Sequence, residues 1–342
     1  MSIETGLDQK SIGPGRAIPG FLNADQRFNR DLTVSFLNTF KPHLYLDGFS
    51  ATGIRGLRAE KEAGIRAVMV ERNRKAFEIL RRNLESNSST SEAYNDTFES
   101  IVSKFKFDFI DVDPYGDVVP YVDVSLNYVK NRGYIGFTAT DLSVLTGSLK
   151  ENTARRYGSV VANNSMRHEM GIRNLIGFIA RHAVSMERGI RVMLSAYHGH
   201  FYRIILQILK GSGEAKKTAE KIGYFNPSKE ISELYDHIDY GPIWIGPLEE
   251  AFTVCTLAIP ETVSEEYGMH LNGLIYEDTG IFFDDVGEIF SMAKMNLPSI
   301  RKVLDFGNEK GLEIHRTHFS NTGVKIKNKK EFATDILNEF RS

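Results

Sequence analysis

The stretch Phe107-Asp108-Phe109-Ile110-Asp111-Val112-Asp113-Pro114-Tyr115-Gly116 decides the fold. Its apolar and aromatic run predicts a buried strand, which Pro114 and Gly116 end. The strand then presents Asp113, the Pro114 carbonyl and the Tyr115 ring at its C-terminal tip. In an open α/β sheet that edge is where ligands bind. A carboxylate and a proline-fixed carbonyl accept N–H protons and a flat ring stacks on a base, so the trio suits capture of a planar amino group. An ordinary strand-terminating turn uses the same residue types, and the rest of the chain has to separate the two.

Outward from this strand, strands alternate with helices. Asn29-Arg30-Asp31 opens a helix with apolar Leu32, Val34, Phe36 and Leu37. Residues 43–47 form a short strand, and Gly48-Phe49-Ser50-Ala51-Thr52-Gly53 a small-residue turn into a helix from Ile54. A second strand covers 67–71, a helix follows through Ile79, Leu80 and Leu84, and a weak third strand precedes Asn95-Asp96-Thr97. The strand ending at Asp113 is the fourth, and 134–140 is the fifth. Ile172, Leu175, Ile176, Ile179, Ala183 and Met186 then repeat at helical spacing.

Two last strands, 191–196 and 202–209, are separated by a short His198-Gly199-His200 turn. A parallel crossover needs a helix-length link, so this pair is antiparallel. A mostly parallel, Rossmann-like α/β sheet of seven strands with one late antiparallel strand is the architecture of class I S-adenosylmethionine-dependent methyltransferases. The first turn lacks the G-x-G-x-x-G pyrophosphate loop, which counts against NAD. After Leu248 the pattern changes to a small α+β unit. Helices over 284–294 and 298–308 precede strands over 312–319 and 324–327, around a Ser320-Asn321-Thr322-Gly323 turn. The expected division is a methyltransferase region over 1–250 and a C-terminal domain over 251–342.

Composition narrows the class. The chain has 342 residues, 42% of them hydrophobic, enough for two domains and a sizeable core. No apolar run approaches the ~20 residues that cross a bilayer, so no membrane partner is expected. Met1 to Lys10 lacks the basic-then-apolar order of a secretory signal. One cysteine, Cys255, excludes an intrachain disulfide and a Cys-rich zinc site, and a reducing cytoplasm is the simplest home. Set among Phe252, Val254 and Leu257, it reads as a small core residue. His198 and His200 lack a third ligand, so no metal is expected.

The net charge of −2 conceals blocks of opposite sign. Residues 150–217 hold twelve Lys or Arg against four Asp or Glu, whereas 230–290 hold fourteen acidic residues and no Lys or Arg. From 291 onward ten basic residues face six acidic ones. Such blocks predict one basic face for a polyanion and one acidic face turned away. Folding that interleaves the blocks would leave no patch.

S-adenosylmethionine sets its own requirements. Its ribose hydroxyls call for a carboxylate at the end of the second strand, where Glu71 stands. Its adenine amino group calls for an acceptor after the third, where Asp96 stands. Its methionine carboxylate suits an arginine, and Arg30 and Arg55 are candidates. The plainer readings are a helix N-terminal charge for Glu71 and solvated surface residues for the arginines.

The Asp-Pro-aromatic turn resembles the signature of S-adenosylmethionine-dependent enzymes that methylate exocyclic amines. More broadly, the chain resembles the tRNA guanine-26 N2-dimethyltransferase family in its archaeal form. The matching stretches are Phe28-Asn29-Arg30-Asp31-Leu32, Ser50-Ala51-Thr52-Gly53-Ile54-Arg55-Gly56-Leu57-Arg58, Asp113-Pro114-Tyr115-Gly116 and Thr138-Ala139-Thr140-Asp141. They continue through Arg156-Tyr157-Gly158, His168-Glu169-Met170-Gly171-Ile172-Arg173, Tyr240-Gly241-Pro242-Ile243-Trp244-Ile245-Gly246-Pro247-Leu248 and Arg316-Thr317-His318-Phe319-Ser320-Asn321-Thr322-Gly323. They run in family order over nearly the whole chain.

The resemblance implies S-adenosylmethionine as cofactor, tRNA as partner, and methylation of guanine N2 with the base flipped out. It places Arg30, Arg55, Glu71, Asp96 and Thr97 on cofactor positions, Asp113 on the catalytic aspartate beside Pro114, and Tyr115 on the stacking aromatic. Three residues depart from the family pattern: Tyr115 for phenylalanine, Asp117 for serine and Thr97 for alanine. His168-Glu169 is expected to line or support the site. The C-terminal unit is expected to bind tRNA through Lys325, Lys327, Lys329 and Lys330, together with Arg155, Arg156, Arg167 and Arg173. A single chain suffices for this scheme. The alternatives are an N6-adenine or other amine methyltransferase, and a tRNA-binding protein of this fold without activity.

Overall fold

Five strands build the parallel half of the main sheet, and the inner ones carry the near-continuous burial that marks a sheet covered on both faces. They are β1 (Tyr45–Asp47), β2 (Ala67–Val70), β3 (Glu92–Tyr94), β4 (Phe107–Val112) and β5 (Val129–Ala139). The sheet is completed by β6 (Arg188–His198) and β7 (Phe201–Lys210) in the order β3-β2-β1-β4-β5-β7-β6. β7 runs antiparallel to both β5 and β6, so it is the one reversed strand. The structure is a computed structural model and describes residues 1–6, 19–259, 265–275, 277, 282–327 and 331–341. The class I architecture is thus present, with β5 beginning five residues before the expected 134.

Register sets up the site. β1 lies between β2 and β4, and Asp47 is paired with Asp111. The turn after β1 is locked by Ser50, whose N–H donates to the Val70 carbonyl (2.9 Å) while its Oγ accepts from the Val70 N–H (3.0 Å). Gly53, at φ 78°, reverses the chain in a conformation only glycine adopts at little cost, and helix Ile54–Ala63 begins. The first helix, Arg27–Phe40, buries polar Asn29, Arg30, Asp31, Thr33 and Ser35 beside its apolar residues.

Beyond β7 the chain adds a ribbon and further helices before the C-terminal unit. β8 (Ile222–Phe225) and β9 (Tyr240–Trp244) form a two-stranded ribbon. In helices Ala251–Thr256 and Glu265–Leu274, Val254, Tyr267 and Leu271 join the same cluster as Phe28, Leu32 and Tyr45. These helices therefore continue the core of the large sheet. Cys255 is exposed rather than buried, because one helical step from the inward-facing Val254 turns it to solvent. The expected C-terminal ribbon gains a third strand: β10 (Asp284–Asp285) and β11 (Ile314–Arg316) flank β12 (Gly323–Ile326). Helices Val286–Met292, Ile300–Glu309 and Phe332–Glu339 enclose a separate small core of Val286, Phe290, Val303, Phe306 and Ile336. Among the described residues, no helix is long and apolar enough to cross a membrane.

A buried ionic cluster fastens this unit to helix Arg167–Ser185. Glu169 Oε1 accepts from Arg173 Nε (2.9 Å) and Nη2 (2.8 Å) and from Lys325 Nζ (2.6 Å), while its Oε2 accepts from the Phe283 N–H (3.1 Å). Arg173 also donates to the carbonyls of Trp244 and Gly246. Lys325 lies 3.8 Å from Glu277 Oε2 on its other side. Arg173 and Lys325 are both 0% exposed, so neither belongs to a phosphate-facing patch as the charge blocks suggested. Lys329 and Lys330 lie outside the described residues, as does Glu261 in the acidic block.

Removing one partner of a buried ion pair leaves an uncompensated charge and costs about 3–5 kcal/mol. Lys325→Met should therefore lower the unfolding free energy by about that amount in urea titration. A loss below about 1 kcal/mol would show that the cluster does not hold the C-terminal unit.

Candidate active site

Asp113, Pro114, Tyr115 and Gly116 follow β4 at the C-terminal edge of the parallel strands. Gly116, at φ 93°, pins the turn to the end of β5: its N–H donates to Thr140 Oγ1 (3.1 Å) and its carbonyl accepts from the Thr140 N–H (3.1 Å). Pro114 is buried, and the Tyr115 ring is 60% exposed. The expected trio of carboxylate, carbonyl and ring stands together at the tip.

Asp113 is held from beneath. Its Oδ2 accepts from Arg55 Nη2 and from Asn29 Nδ2 (3.2 Å). Arg55 Nη1 donates in turn to Asp111 Oδ2 (2.9 Å). Asp111 is fully buried and takes two further bonds from Arg203, at 2.6 and 3.0 Å, and one from the Tyr45 hydroxyl at 3.0 Å. Arg203 reaches across β5 at Gly136, where a Cβ would sit 2.7 Å from its Nη2. Burial pushes the Asp111 carboxyl up, but Arg203 and Arg55 outweigh it and hold it at about 2. Arg55, one of the two arginines expected at the cofactor, has both terminal nitrogens of its guanidinium engaged by Asp111 and Asp113 and so braces the turn.

Arg30 is the arginine left for an anion. It is 8% exposed and donates to the Asn23 carbonyl (2.9 Å), and no carboxylate pairs with it among the described residues. Burial, then Arg55 and Arg58, push its guanidinium down to about 10. A buried cation so placed fits a ligand carboxylate. Glu71 stands at the end of β2, its oxygens accepting from the N–H groups of Ala51 (3.0 Å) and Asn73 (2.6 Å). Burial raises its carboxyl despite those bonds. Beyond β3, Asp96 accepts from the Thr97 N–H (2.8 Å) and the Ser100 hydroxyl (2.8 Å), and Thr97 Oγ1 caps the next helix by accepting from the Ser100 N–H. Thr97 thus uses both its N–H and its hydroxyl within this turn.

The family model for N2,N2-dimethylguanosine tRNA methyltransferases matches residues 8–338. The chain is 41% identical over 313 residues to the tRNA (guanine(26)-N(2))-dimethyltransferase of Thermoplasma volcanium, covering 92% of this chain and 90% of that protein. It is 31% identical over 339 residues to that of Pyrococcus horikoshii, covering 90% and 89%. The structure of Trm1 from Pyrococcus horikoshii with S-adenosyl-L-methionine superposes with a TM-score of 0.84 at 28% identity, covering 95% of this chain and 96% of that one. The chain belongs to this dimethyltransferase family. It is an S-adenosylmethionine-dependent enzyme that methylates the N2 amine of a tRNA guanine.

Within this methyltransferase, two site residues escape a reading of sequence. Asn29 bridges Asp113 and Thr138 Oγ1 (3.1 Å); its signal was a polar run inside a buried helix. Asp117 does not add a free charge beside the site, because Arg156 Nη1 donates to it (2.8 Å) and to Asp141 (3.4 Å). His168 stacks on Tyr197 at 3.9 Å between ring centroids, and burial, with Arg167 and His318, lowers it to about 4. It is therefore neutral at pH 7 and supports the rim rather than donating a proton.

Asp47 is the other missed residue. It is 2% exposed, accepts from the Gly56 N–H (3.1 Å), and lies beside Asp111. Burial raises its carboxyl to about 7; Arg55 lowers it, and Asp111 and Asp113 raise it again. A folded value above the ordinary aspartate value near ~4 means that the folded state holds an extra proton between roughly pH 4 and 7. The contribution is complete below that window and is lost as pH rises through about 7. The unfolding free energy of the ligand-free enzyme should fall from pH 5 to 8, and Asp47→Asn should remove that component. A wild-type profile identical to that of Asp47→Asn would show Asp47 ionised throughout.

Proposed function

We propose that the enzyme mono- and then dimethylates guanine 26 of tRNA, with the base flipped out of the helix and stacked on Tyr115. The observation that carries this reading is Asp113, fixed on one oxygen by Arg55 and Asn29, next to an exposed aromatic ring. The guanine N2 lone pair is delocalised into the ring, so the free amine is a poor nucleophile. Asp113 Oδ1 and the Pro114 carbonyl accept its two protons, which localises the lone pair and aims it at the methyl donor. As the N–CH3 bond forms, one N–H proton passes to Asp113. The monomethylated amine keeps one N–H, so a single acceptor serves the second round.

Arg30 takes the methionine carboxylate of the cofactor, Glu71 the ribose hydroxyls, and Asp96 with Thr97 the adenine edge. Bound S-adenosylmethionine supplies a methyl group activated by a sulfonium. Flipping costs a few kcal/mol of unstacking, offset by backbone contacts elsewhere on the tRNA. The three-stranded C-terminal unit contributes such contacts, with Lys327 at its surface. One cysteine in 342 residues accords with action in a reducing cytoplasm, as a single chain.

Mass spectrometry of tRNA nucleosides after incubation with S-adenosylmethionine tests this reading. Wild type should yield N2-methyl- and N2,N2-dimethylguanosine at position 26. Asp113→Ala should lose about 10²–10⁴ in turnover while still binding cofactor; near-normal methylation would remove Asp113 from the chemistry. Tyr115→Phe should be mild, and Tyr115→Ala should lose roughly 5- to 100-fold, as loss of base stacking predicts. Equal activities for the two would show that the ring is not the platform.

A further inference from the structure

At the sheet edge opposite the catalytic turn lies a groove of about 740 Å³. It is bounded by the start of β5, the start of β6, the end of β7 and helix Ser212–Ala219. Its two carboxylates are already paired: Glu214 with Lys217 (2.7 Å) and Glu250 with Arg191 (3.4 Å). Arg132, Lys210 and Lys221 also line it, and no carboxylate pairs with them among the described residues. Behind Lys210, directly opposite it in the β6–β7 register, stands Arg188, whose Nε and Nη1 are enclosed without a hydrogen-bond partner. Like charges directly opposite each other across strands destabilise a sheet. Burial, with Arg188 and Lys106, accordingly pushes the Lys210 ammonium down.

An edge strand such as β6 needs some charge to block strand pairing. That accounts for one cation, not for a concave surplus facing a groove. Among the described residues no aromatic side chain lines the groove, so they offer no platform for a nucleobase. We propose that it is a phosphate-binding groove for the tRNA backbone, a second anchor remote from the flipped guanine. β5 runs from Val129 near this edge to Ala139 beside the turn after β4. It bulges before Tyr134, and the stretch from Val129 to Phe137 is matched by Phe107 to Val112 of β4. The two sites therefore stand on the order of 20 Å apart at ~3.3 Å per residue. One helical arm of a tRNA bridges such a distance. The placement also meets a need left by the burial of Arg173 and Lys325: phosphate neutralisation has to come from exposed cations.

The test is tRNA binding against salt for the full chain carrying Arg132→Ala, Lys210→Ala and Lys221→Ala together. Loss of three phosphate contacts should weaken binding about tenfold or more near physiological salt and make the log–log slope shallower by about 2. S-adenosylmethionine affinity and turnover at saturating tRNA should stay at wild-type values. A second variant, with Lys210→Arg and Lys221→Arg, keeps the charge and should bind as wild type. Unchanged binding and slope in the alanine variant would overturn the proposal, as would equal loss in the arginine variant. A wild-type enzyme that binds tRNA through this groove but leaves guanine 26 unmodified would instead contradict only the proposed function.

Discussion

Arg55 lies between two carboxylates that the backbone forces together. Asp111 and Asp113 are two residues apart at the end of β4, so their side chains leave the same face of the strand and repel. Arg55 bridges them, and Arg203 completes the neutralisation of Asp111 from the far side. The arrangement draws on four distant parts of the chain. Helix Ile54–Ala63 delivers Arg55, the reversed strand β7 delivers Arg203, β1 delivers Tyr45, and the first helix delivers Asn29 and Thr33. The antiparallel strand is thus more than a closing edge, because it carries the cation that lets Asp111 stay ionised inside the core.

The C-terminal unit is tied to this sheet by a second ionic cluster and by His318. His318 Nδ1 lies 2.8 Å from Glu277 Oε1, while its Nε2 accepts from the Tyr197 N–H at 3.0 Å. Tyr197 sits near the end of β6, on the same sheet edge as the catalytic turn, and stacks on His168. The backbone of the catalytic edge and the C-terminal unit are therefore in direct contact. Phe283 and Phe319, from the C-terminal unit, share the core cluster of the large sheet and extend that contact into apolar packing.

The turn after β4 was legible because its information is local. A strand, a proline and a glycine in sequence specify an edge, and Asp113 and Tyr115 need no distant partner to be recognised. The reversed strand was legible from the length of a single connection. Arg173 and Lys325 were not, because a count of charges along the chain says nothing about burial. Glu169 and Arg173, four apart on one helix, carried the only local hint of pairing. The pairing of Arg55 was not legible for a related reason: its carboxylate partners Asp111 and Asp113 lie more than fifty residues away in sequence, and only the fold brings them to it. Asp47 escaped notice because its unusual proton affinity comes from burial beside other carboxylates.

We propose that Arg55 serves the reaction by orienting Asp113 more than by holding the cofactor. Arg55→Lys keeps a positive charge but loses the fork that spans two carboxylates. Single-turnover methylation at saturating S-adenosylmethionine and tRNA, measured beside cofactor affinity in the same variant, separates the two roles. The account predicts a rate reduced about 100-fold or more, on the scale of a misplaced catalytic group, with cofactor affinity within about twofold of wild type. A collapse of cofactor affinity with a near-normal saturated rate would contradict it.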